Sequence, residues 1–139
     1  MDIAIRNARL GDFGSIRRLL DEGGLGGKWF TRTLLGRLIR RNRGLYLVAE
    51  SGEQVIGTVF GSEDGGYHGY ICKLAVDRRF RRRGVARALV DRLKTVLDRR
   101  GVIWYFALIR RNNRPSQRLF GKLGFRDRDV FHVYEARGD

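Results

Sequence analysis

An arginine-rich turn between an apolar segment and an amphipathic helix is the part of this sequence best suited to bind an anion. Residues 81–86, Arg-Arg-Arg-Gly-Val-Ala, fit the pattern Arg/Gln-x-x-Gly-x-Gly/Ala, whose small residues let a diphosphate approach the backbone closely. A helix that begins at about Gly84 would present unpaired N–H groups and the positive end of its dipole there. The pattern therefore predicts a site for a phosphorylated ligand. A solvated basic loop before an ordinary helix is the alternative.

We expect seven consecutive residues to contact this ligand: Arg81, Arg82, Arg83, Gly84, Val85, Ala86 and Arg87. The arginines among them can add charge-assisted hydrogen bonds.

Side chains able to move protons lie in the apolar segment that precedes this turn, residues 67–76. Alternation along a strand places His68, Tyr70 and Cys72 on one face, and we take Tyr70 and His68 as the candidate catalytic residues. Cys72 is the single cysteine, so it forms no intrachain disulfide, and the sequence shows no metal-ligand spacing. Other candidates, each with a structural alternative, are Glu63, Asp64, His132 and Tyr134.

Alternating strand and helix signals predict the elements that hold these residues. Tight turns join predicted strands over residues 45–50, 54–60 and 67–76, which makes them antiparallel neighbours of one another. A helix from about Gly84 to Arg100 leads to a continuous apolar strand over 102–109, expected to be buried on both faces and parallel to the strand before the helix. The remaining predicted elements are a strand over 3–6, a helix capped by Asp12, a glycine-rich loop over 23–27, a helix over 31–41, a helix capped by Asn113 and a last strand over 130–135.

Two motifs in order resemble the GNAT superfamily of acyl-CoA-dependent N-acetyltransferases. One is the turn at 81–86, and the other is the string N-x-x-S-x-x-L-F-x-K-L-G-F that begins at Asn113. The resemblance covers essentially the whole chain and is most specific over residues 71–125. It implies one α/β domain over residues 1–139, with a mixed, mostly antiparallel central sheet of six to seven strands and helices on both faces.

The resemblance also implies roles for particular residues. The turn at 81–86 would bind the pyrophosphate of acetyl-CoA, the acetyl donor, while the backbone of Leu74, Ala75 and Val76 would pair with the pantetheine arm and polarise the thioester carbonyl. Asn113 and Ser116 would lie along the pantetheine or nucleotide arm. Phe120 is also expected among the cofactor-binding residues. It occupies the position where many members have a tyrosine that protonates the departing thiolate, and phenylalanine has no proton to give.

Composition limits the classes of protein and partner. The chain carries 29 Lys and Arg against 15 Asp and Glu, a net charge of +14, so nucleic acid or a ribosomal surface is a possible partner. Hydrophobic residues make up 42% of the chain, which argues against disorder, and no apolar run is long enough to cross a membrane. We expect a cytoplasmic protein that acts as a monomer or a homodimer.

The predicted reaction is direct transfer of an acetyl group from acetyl-CoA to a primary amine in a ternary complex. The acceptor can be a protein N-terminus, a lysine or a small amine. Because the residues show no obvious carboxylate base, an amine of low pKa is the easiest acceptor. The alternatives are a non-catalytic acyl-CoA sensor and a basic protein that associates with nucleic acid.

Overall fold

The computed structural model describes residues 2–138 and divides the chain into two compact units, one ending at Leu108 and the other beginning at Ile109. The elements of the first unit are β1 (Ala4–Asn7), α1 (Phe13–Glu22), α2 (Arg32–Arg41), β2 (Tyr46–Ser51), β3 (Gln54–Glu63), β4 (His68–Val76), α3 (Val85–Arg99) and β5 (Trp104–Phe106). The second unit contains α4 (Arg114–Lys122).

The sheet of the first unit has the strand order β1-β2-β3-β4-β5. Strands β1 to β4 pair antiparallel with their neighbours, and β5 pairs parallel with β4. Short turns allow only antiparallel pairing along β2, β3 and β4, whereas α3 provides the crossover that returns β5 in the direction of β4. These pairings confirm the predicted mixed sheet with mostly antiparallel neighbours.

Helices cover both faces of this sheet. Residues of α1 and α2, such as Leu19 and Leu35, belong to one buried cluster with Tyr46 of β2 and Phe60 of β3. On the opposite face α3 packs close to the strands where they carry glycine. A Cβ atom placed on Gly61 would lie only 2.8 Å from a methyl group of Leu93.

A bulge in β4 changes which residues share a face. Phe60 lies opposite Cys72 while Thr58 lies opposite Ala75, so β4 contains one residue more than β3 over this stretch. Lys73, within the extra segment, has a φ of +54°. As a consequence Cys72 and Ala75 face the same side of the sheet, although three positions separate them.

The structure corrects three predictions about strands. Among residues 2–138 it forms five strands rather than six to seven, and residues 126–138 contain no strand. The apolar side chains of the predicted last strand, including Phe131 and Tyr134, are exposed, so this segment has no buried face that would favour pairing. The predicted strand over 102–109 is shortened to β5, and Trp104 and Leu108 are exposed, because β4 pairs with it over three residues only.

In the second unit the predicted cap of α4 is confirmed. The side-chain oxygen of Asn113 accepts a hydrogen bond from the backbone N–H of Ser116 at 3.2 Å, and Pro115 occupies the first turn. The ring of Phe120 lies edge-on to the ring of Phe125, with the centroids 5.1 Å apart.

Candidate active site

The segment that joins β4 to α3 is held by a buried carboxylate. Asp77 is 3% exposed and accepts a hydrogen bond from the backbone N–H of Arg79 at 2.9 Å. Its side chain also pairs with Arg79 at 3.1 Å and with Arg18 of α1 at 3.3 Å. Hydrogen bonding by Arg79 lowers the pKa of Asp77 to about 2. The carboxylate therefore stays ionised at neutral pH and fixes the start of the arginine-rich turn.

Left-handed backbone conformations shape the rest of this turn. Arg82 has a φ of +63° and Gly84 a φ of +79°, and α3 begins directly after Gly84. Within residues 2–138 no side chain caps this end of the helix, and a Cβ atom at Gly84 would meet none of their atoms within 4 Å. The backbone N–H groups of the first turn of α3 thus face open space, which suits a diphosphate.

Arginine side chains surround this helix end. Arg81, Arg82, Arg83 and Arg87 are all exposed. The guanidinium of Arg83 lies 5.6 Å from the ring centroid of Phe80, while Nε of Arg81 donates to the backbone oxygen of Val76 at 3.3 Å. Val85 is buried and Ala86 is half-buried, so the two small apolar residues anchor the turn while the charged ones face outward.

A gap follows the short pairing of β4 with β5. The two strands are in register at His68–Trp104, Gly69–Tyr105 and Tyr70–Phe106. From Ile71 to Val76 the edge of β4 on this side has no strand partner within the described residues of the first unit. Main-chain groups on a free strand edge can bind an extended ligand by adding hydrogen bonds of the sheet type.

The free edge includes the three residues predicted to pair with the pantetheine arm, and that role stays a prediction. Ala75 lies opposite Thr58 and Val76 lies opposite Gly57 on the β3 side, which leaves the other side of β4 open. Leu74 and Val76 are half-buried and Ala75 is buried. The free edge ends at the turn that leads to α3, so the residues present fit a donor that has a diphosphate at one end and an extended arm at the other.

The predicted catalytic pair lies on an open face of the sheet beside this gap. The rings of His68 and Tyr70 both contact Phe106, with centroid distances of 5.4 Å and 6.0 Å, which places them on the same face. Tyr70 is 40% exposed and Cys72 is exposed. The register of β3 brings Ser62 alongside Tyr70 on this face.

Two contacts near this face are not specified by the sequence patterns. Oδ2 of Asp64 lies 2.7 Å from Nδ1 of His68, which joins two separately predicted candidates. Nζ of Lys73 lies 4.5 Å from the ring centroid of Trp29, which follows the glycine-rich loop. An Asp four residues before a His across a Gly-Gly turn was the available signal for the first contact. Nothing in the sequence indicated the second.

The other predicted residues have these positions. Glu63 accepts a hydrogen bond from the backbone N–H of Gly65 at 2.9 Å and forms an ion pair with Arg100 at 3.8 Å, so it stabilises the turn before β4. In the second unit Asn113 and Ser116 are half-buried and joined by the cap of α4, Phe120 is buried, and His132 and Tyr134 are exposed. The roles assigned to Asn113, Ser116 and Phe120 stay predictions.

Residues 2–138 contain no group of three or more His, Cys, Asp or Glu side chains that could hold a metal ion. Over the same residues no helix has the length and apolar character needed to span a membrane.

The acetyltransferase (GNAT) family model matches residues 15–125 of this chain. The chain belongs to the GNAT acetyltransferase family. A related acetyltransferase from Pectobacterium atrosepticum is 31% identical over 122 residues, which cover 87% of this chain and 86% of the relative. The GNAT match confirms the family that the two motifs predicted.

Solved structures have the same fold as this GNAT chain. Ard1 from Thermoplasma volcanium superposes with a TM-score of 0.81 and 26% identity, covering 90% of this chain and 83% of Ard1. PaiA N-acetyltransferase from Thermoplasma acidophilum, solved with coenzyme A, superposes with a TM-score of 0.83 over 94% of both chains. At 17% identity the second structure shows the fold alone.

As a GNAT enzyme, this protein is an N-acetyltransferase that uses acetyl-CoA as its acetyl donor. The arginine-rich turn and the free edge of β4 are the parts of the first unit whose geometry fits this donor.

Proposed function

We propose that this enzyme transfers acetyl directly from acetyl-CoA to a primary amine of low pKa, with a chain-terminal α-amine as the best fit. The observation that carries the proposal is the free edge of β4 from Ile71 to Val76, which lies beside the open face that presents His68 and Tyr70. A donor arm along this edge would place its thioester next to that face. An acceptor amine on the face could then attack without an acyl-enzyme intermediate.

The chain's own groups would carry out three tasks in this reaction. The first turn of α3 and the arginines around it would hold the diphosphate. A backbone N–H of residues 74–76 would donate to the thioester oxygen as negative charge develops there. A group on the open face would take the proton from the amine as its nitrogen forms the new C–N bond and the C–S bond breaks.

The acceptor class follows from the cost of deprotonation. A lysine side chain must lose its proton against about three pH units, roughly 4 kcal/mol, whereas an α-amine is within about one pH unit of neutrality. The departing thiolate needs no acid from Phe120, because a thiol pKa of about 8.5 makes an unprotonated leaving group tolerable. An α-amine therefore places the smallest demand on the residues present.

Isothermal titration with acetyl-CoA tests the donor site. The double variant Arg83→Glu with Gly84→Asp places negative charge at the proposed diphosphate turn. The control, Arg92→Glu with Gly52→Asp, makes the same charge change at an exposed residue of α3 and at another glycine with positive φ. We expect micromolar binding by the wild type and the control, and at least tenfold weaker binding by the test variant. Equal binding by all three would place the donor elsewhere.

A thiol-release assay tests the acceptor class. Short peptides with a free N-terminus would be compared with N-terminally blocked peptides that contain one lysine, and with small polyamines. We expect release to be fastest with the free N-termini. Faster release with the blocked lysine peptides would contradict the α-amine proposal, and binding of acetyl-CoA without release for any amine would indicate a non-catalytic acyl-CoA sensor.

A second candidate function rests on the outer surface of α2. This helix contains no acidic residue, and five arginines on it or just after it are exposed: Arg32, Arg37, Arg40, Arg41 and Arg43. Within residues 2–138 none of the five has an ion-pair partner, whereas Arg6, Arg18 and Arg79 are each paired. We propose that this surface, the α2 arginine surface, docks on structured RNA.

The test of docking is fluorescence anisotropy with a labelled RNA hairpin at two salt concentrations. Five phosphate contacts would give a slope of log K against log salt of about −4, so the affinity should fall by a few hundred-fold from 50 to 200 mM salt. Replacing the five arginines by glutamine should abolish most of this slope. No binding at the lower salt concentration would remove the candidate.

The expectations of a cytoplasmic location and of a monomer or homodimer stay predictions.

A further inference from the structure

We infer that Lys73 is a specificity-determining residue whose ammonium group binds a carboxylate of the acceptor, so that the preferred acceptor is an α-amine with a carboxylate beside it. This inference rests on the proposed function, because it names the class of α-amine that the acceptor site takes. It is carried by the position of Lys73 in the β4 bulge and by the contacts of its side chain.

The bulge in β4 turns the side chain of Lys73 towards the face of the sheet that α1 and α2 cover. In a regular strand Lys73 would face the side opposite to Cys72. Its Nζ instead lies 4.5 Å from the ring centroid of Trp29 and 5.9 Å from that of Phe30. Phe30 belongs to the buried cluster of the covered face together with Phe60, which lies opposite Cys72 across the strands. The ammonium group is therefore on the same face as Cys72.

The backbone at Lys73 is strained to achieve this placement. Its φ of +54° lies in the left-handed region, which residues with a Cβ atom seldom adopt. Residues in such conformations cluster at binding and catalytic sites, and bulges beside these sites re-aim a side chain. The strain therefore points to a functional role for the position of this ammonium group.

The ammonium group of Lys73 contacts aromatic rings but no anion. The residue is half-buried, and within residues 2–138 it forms no ion pair and no side-chain hydrogen bond. The carboxylates at the end of α1 are paired within that helix, Asp21 with Arg17 at 3.8 Å and Glu22 with Arg18 at 3.4 Å. Since an ammonium group has three N–H donors, the ring contacts leave donors free for an oxygen ligand.

Lys73 lies directly beside the place where the proposed reaction occurs. The thioester oxygen is assigned to a backbone N–H of residues 74–76, and the Cα atom of Lys73 is one trans peptide, about 3.8 Å, from that of Leu74. The acceptor is proposed to approach on the face of Tyr70 and Cys72, which is also the face of the ammonium group. Trp29, which contacts this group, is 54% exposed. An acceptor that reaches the thioester from this face therefore passes the ammonium group.

The charge of Lys73 selects among acceptors in two ways. A carboxylate close to the attacking nitrogen would form a charge-assisted hydrogen bond with Nζ. A second positive charge on the acceptor would be repelled, which disfavours polyamines and lysine-rich segments. Both effects favour an α-amine with a carboxylate nearby, either the α-carboxylate of a free amino acid or the side chain of an acidic residue near the N-terminus of a peptide.

Peptides that differ only in one carboxylate test the inference. Thiol release would be compared for C-terminally amidated peptides that begin with Ser-Asp, Ser-Asn or Ser-Lys and are otherwise identical. For the wild type we expect kcat/KM to be about tenfold or more higher for the Asp peptide than for the Asn peptide. Lys73→Met should remove this preference, and Lys73→Glu should reverse it in favour of the Lys peptide.

A second pair of acceptors, free serine and serinamide, identifies the source of the carboxylate. The ratio of their kcat/KM values would be compared between the wild type and Lys73→Met, so that the difference in amine pKa between the two acceptors cancels. A ratio that depends on Lys73 would show recognition of an α-carboxylate. An effect of Lys73 on the peptides alone would show recognition of an acidic side chain.

Titration measures recognition without turnover. With the protein saturated by CoA, the wild type should bind the Asp peptide about tenfold more tightly than the Asn peptide, and Lys73→Met should bind both alike. Lys73→Arg keeps the charge and should keep the preference. Arg92→Met removes a charge from an exposed position of α3, on the opposite face of the sheet, and should also keep it. Binding of acetyl-CoA by each variant checks that it is folded.

The outcomes separate this inference from the proposed function. Equal kcat/KM values for the Asp and Asn peptides, or a preference that Lys73→Met retains, would overturn the inference and leave acetyl transfer to α-amines in place. If no amine supports thiol release, the proposed function fails, and the titrations still decide whether Lys73 binds the carboxylate.

Discussion

Replacing Asp77 by asparagine should destabilise the protein in a way that depends on pH. The side chain is 4% exposed and ion-paired with Arg18 and Arg79. An asparagine oxygen can still accept from the backbone N–H of Arg79, so Asp77→Asn keeps the hydrogen bond that begins the arginine-rich turn and removes the charge. The difference between the two proteins therefore isolates the ion pairs.

The magnitude follows from the pKa of Asp77. A fall of this pKa from the ordinary value of 3.8 to about 2 adds roughly 2 kcal/mol to the free energy of unfolding at neutral pH, at about 1.4 kcal/mol for each pKa unit. Because the side chains of Arg18 and Arg79 are 39% and 67% exposed, solvent screens the pairs and about 1 to 2 kcal/mol is the expected loss. Since the folded pKa is lowered, this contribution is present above pH 4 and disappears as the pH falls towards 2.

The assay is urea unfolding followed by circular dichroism at pH 7, pH 4 and pH 2.5. The free energy of unfolding of the wild type should exceed that of Asp77→Asn by about 1 to 2 kcal/mol at pH 7 and by much less at pH 2.5. The exposed Asp91→Asn serves as the control and should show little difference at any pH. A difference for Asp77→Asn that stays constant down to pH 2.5 would refute the assignment to ionic pairing.

Three further changes test the packing, each by thermal and urea unfolding. Gly61→Ala should destabilise by about 1 to 3 kcal/mol, because its Cβ would lie 2.8 Å from Leu93, and an unchanged midpoint would show that α3 can shift without cost. Gly14→Ala, at an exposed position of α1 with nothing within 4 Å of the new Cβ, should stabilise by about 0.5 to 1 kcal/mol, and a loss would contradict the space seen there. Tyr46→Phe should stabilise by about 1 kcal/mol, because the buried hydroxyl has no hydrogen-bond partner within residues 2–138, and destabilisation would reveal a partner.

Local signals explain why most elements of the first unit were predictable. Gly84 marks the start of α3 and Thr31 caps α2, where its side chain accepts from the N–H of Leu34 at 3.1 Å. Both features depend on residues within one helical turn. The apolar run over 102–109, by contrast, indicates burial but contains no information about how many residues of β4 would pair with it.

Nonlocal features of the site were not predictable for a related reason. Alternation correctly placed His68 and Tyr70 on one face, because strand geometry alone decides it. The bulge at Lys73 depends on a positive φ at a residue that seldom adopts one, and the sequence carries no signal for it. The contact of Asp64 with His68 depends on how the Gly65-Gly66 turn folds back, which the local sequence alone does not specify.

The bulge in β4 divides this strand into two halves, and the numbering of the residues that face a given side changes from even to odd between them. Before Lys73, the even-numbered residues His68, Tyr70 and Cys72 face the same side of the sheet as Phe60, whereas after it the odd-numbered Ala75, which is buried, faces that side. Deleting Lys73 alone would remove the extra residue and leave Cys72 and Ala75 on the same face, because two positions would then separate them as in a regular strand. A one-residue deletion in β4 should therefore be tolerated best at Lys73, whereas deletion of the residue between His68 and Tyr70 would turn one of these two side chains to the opposite face.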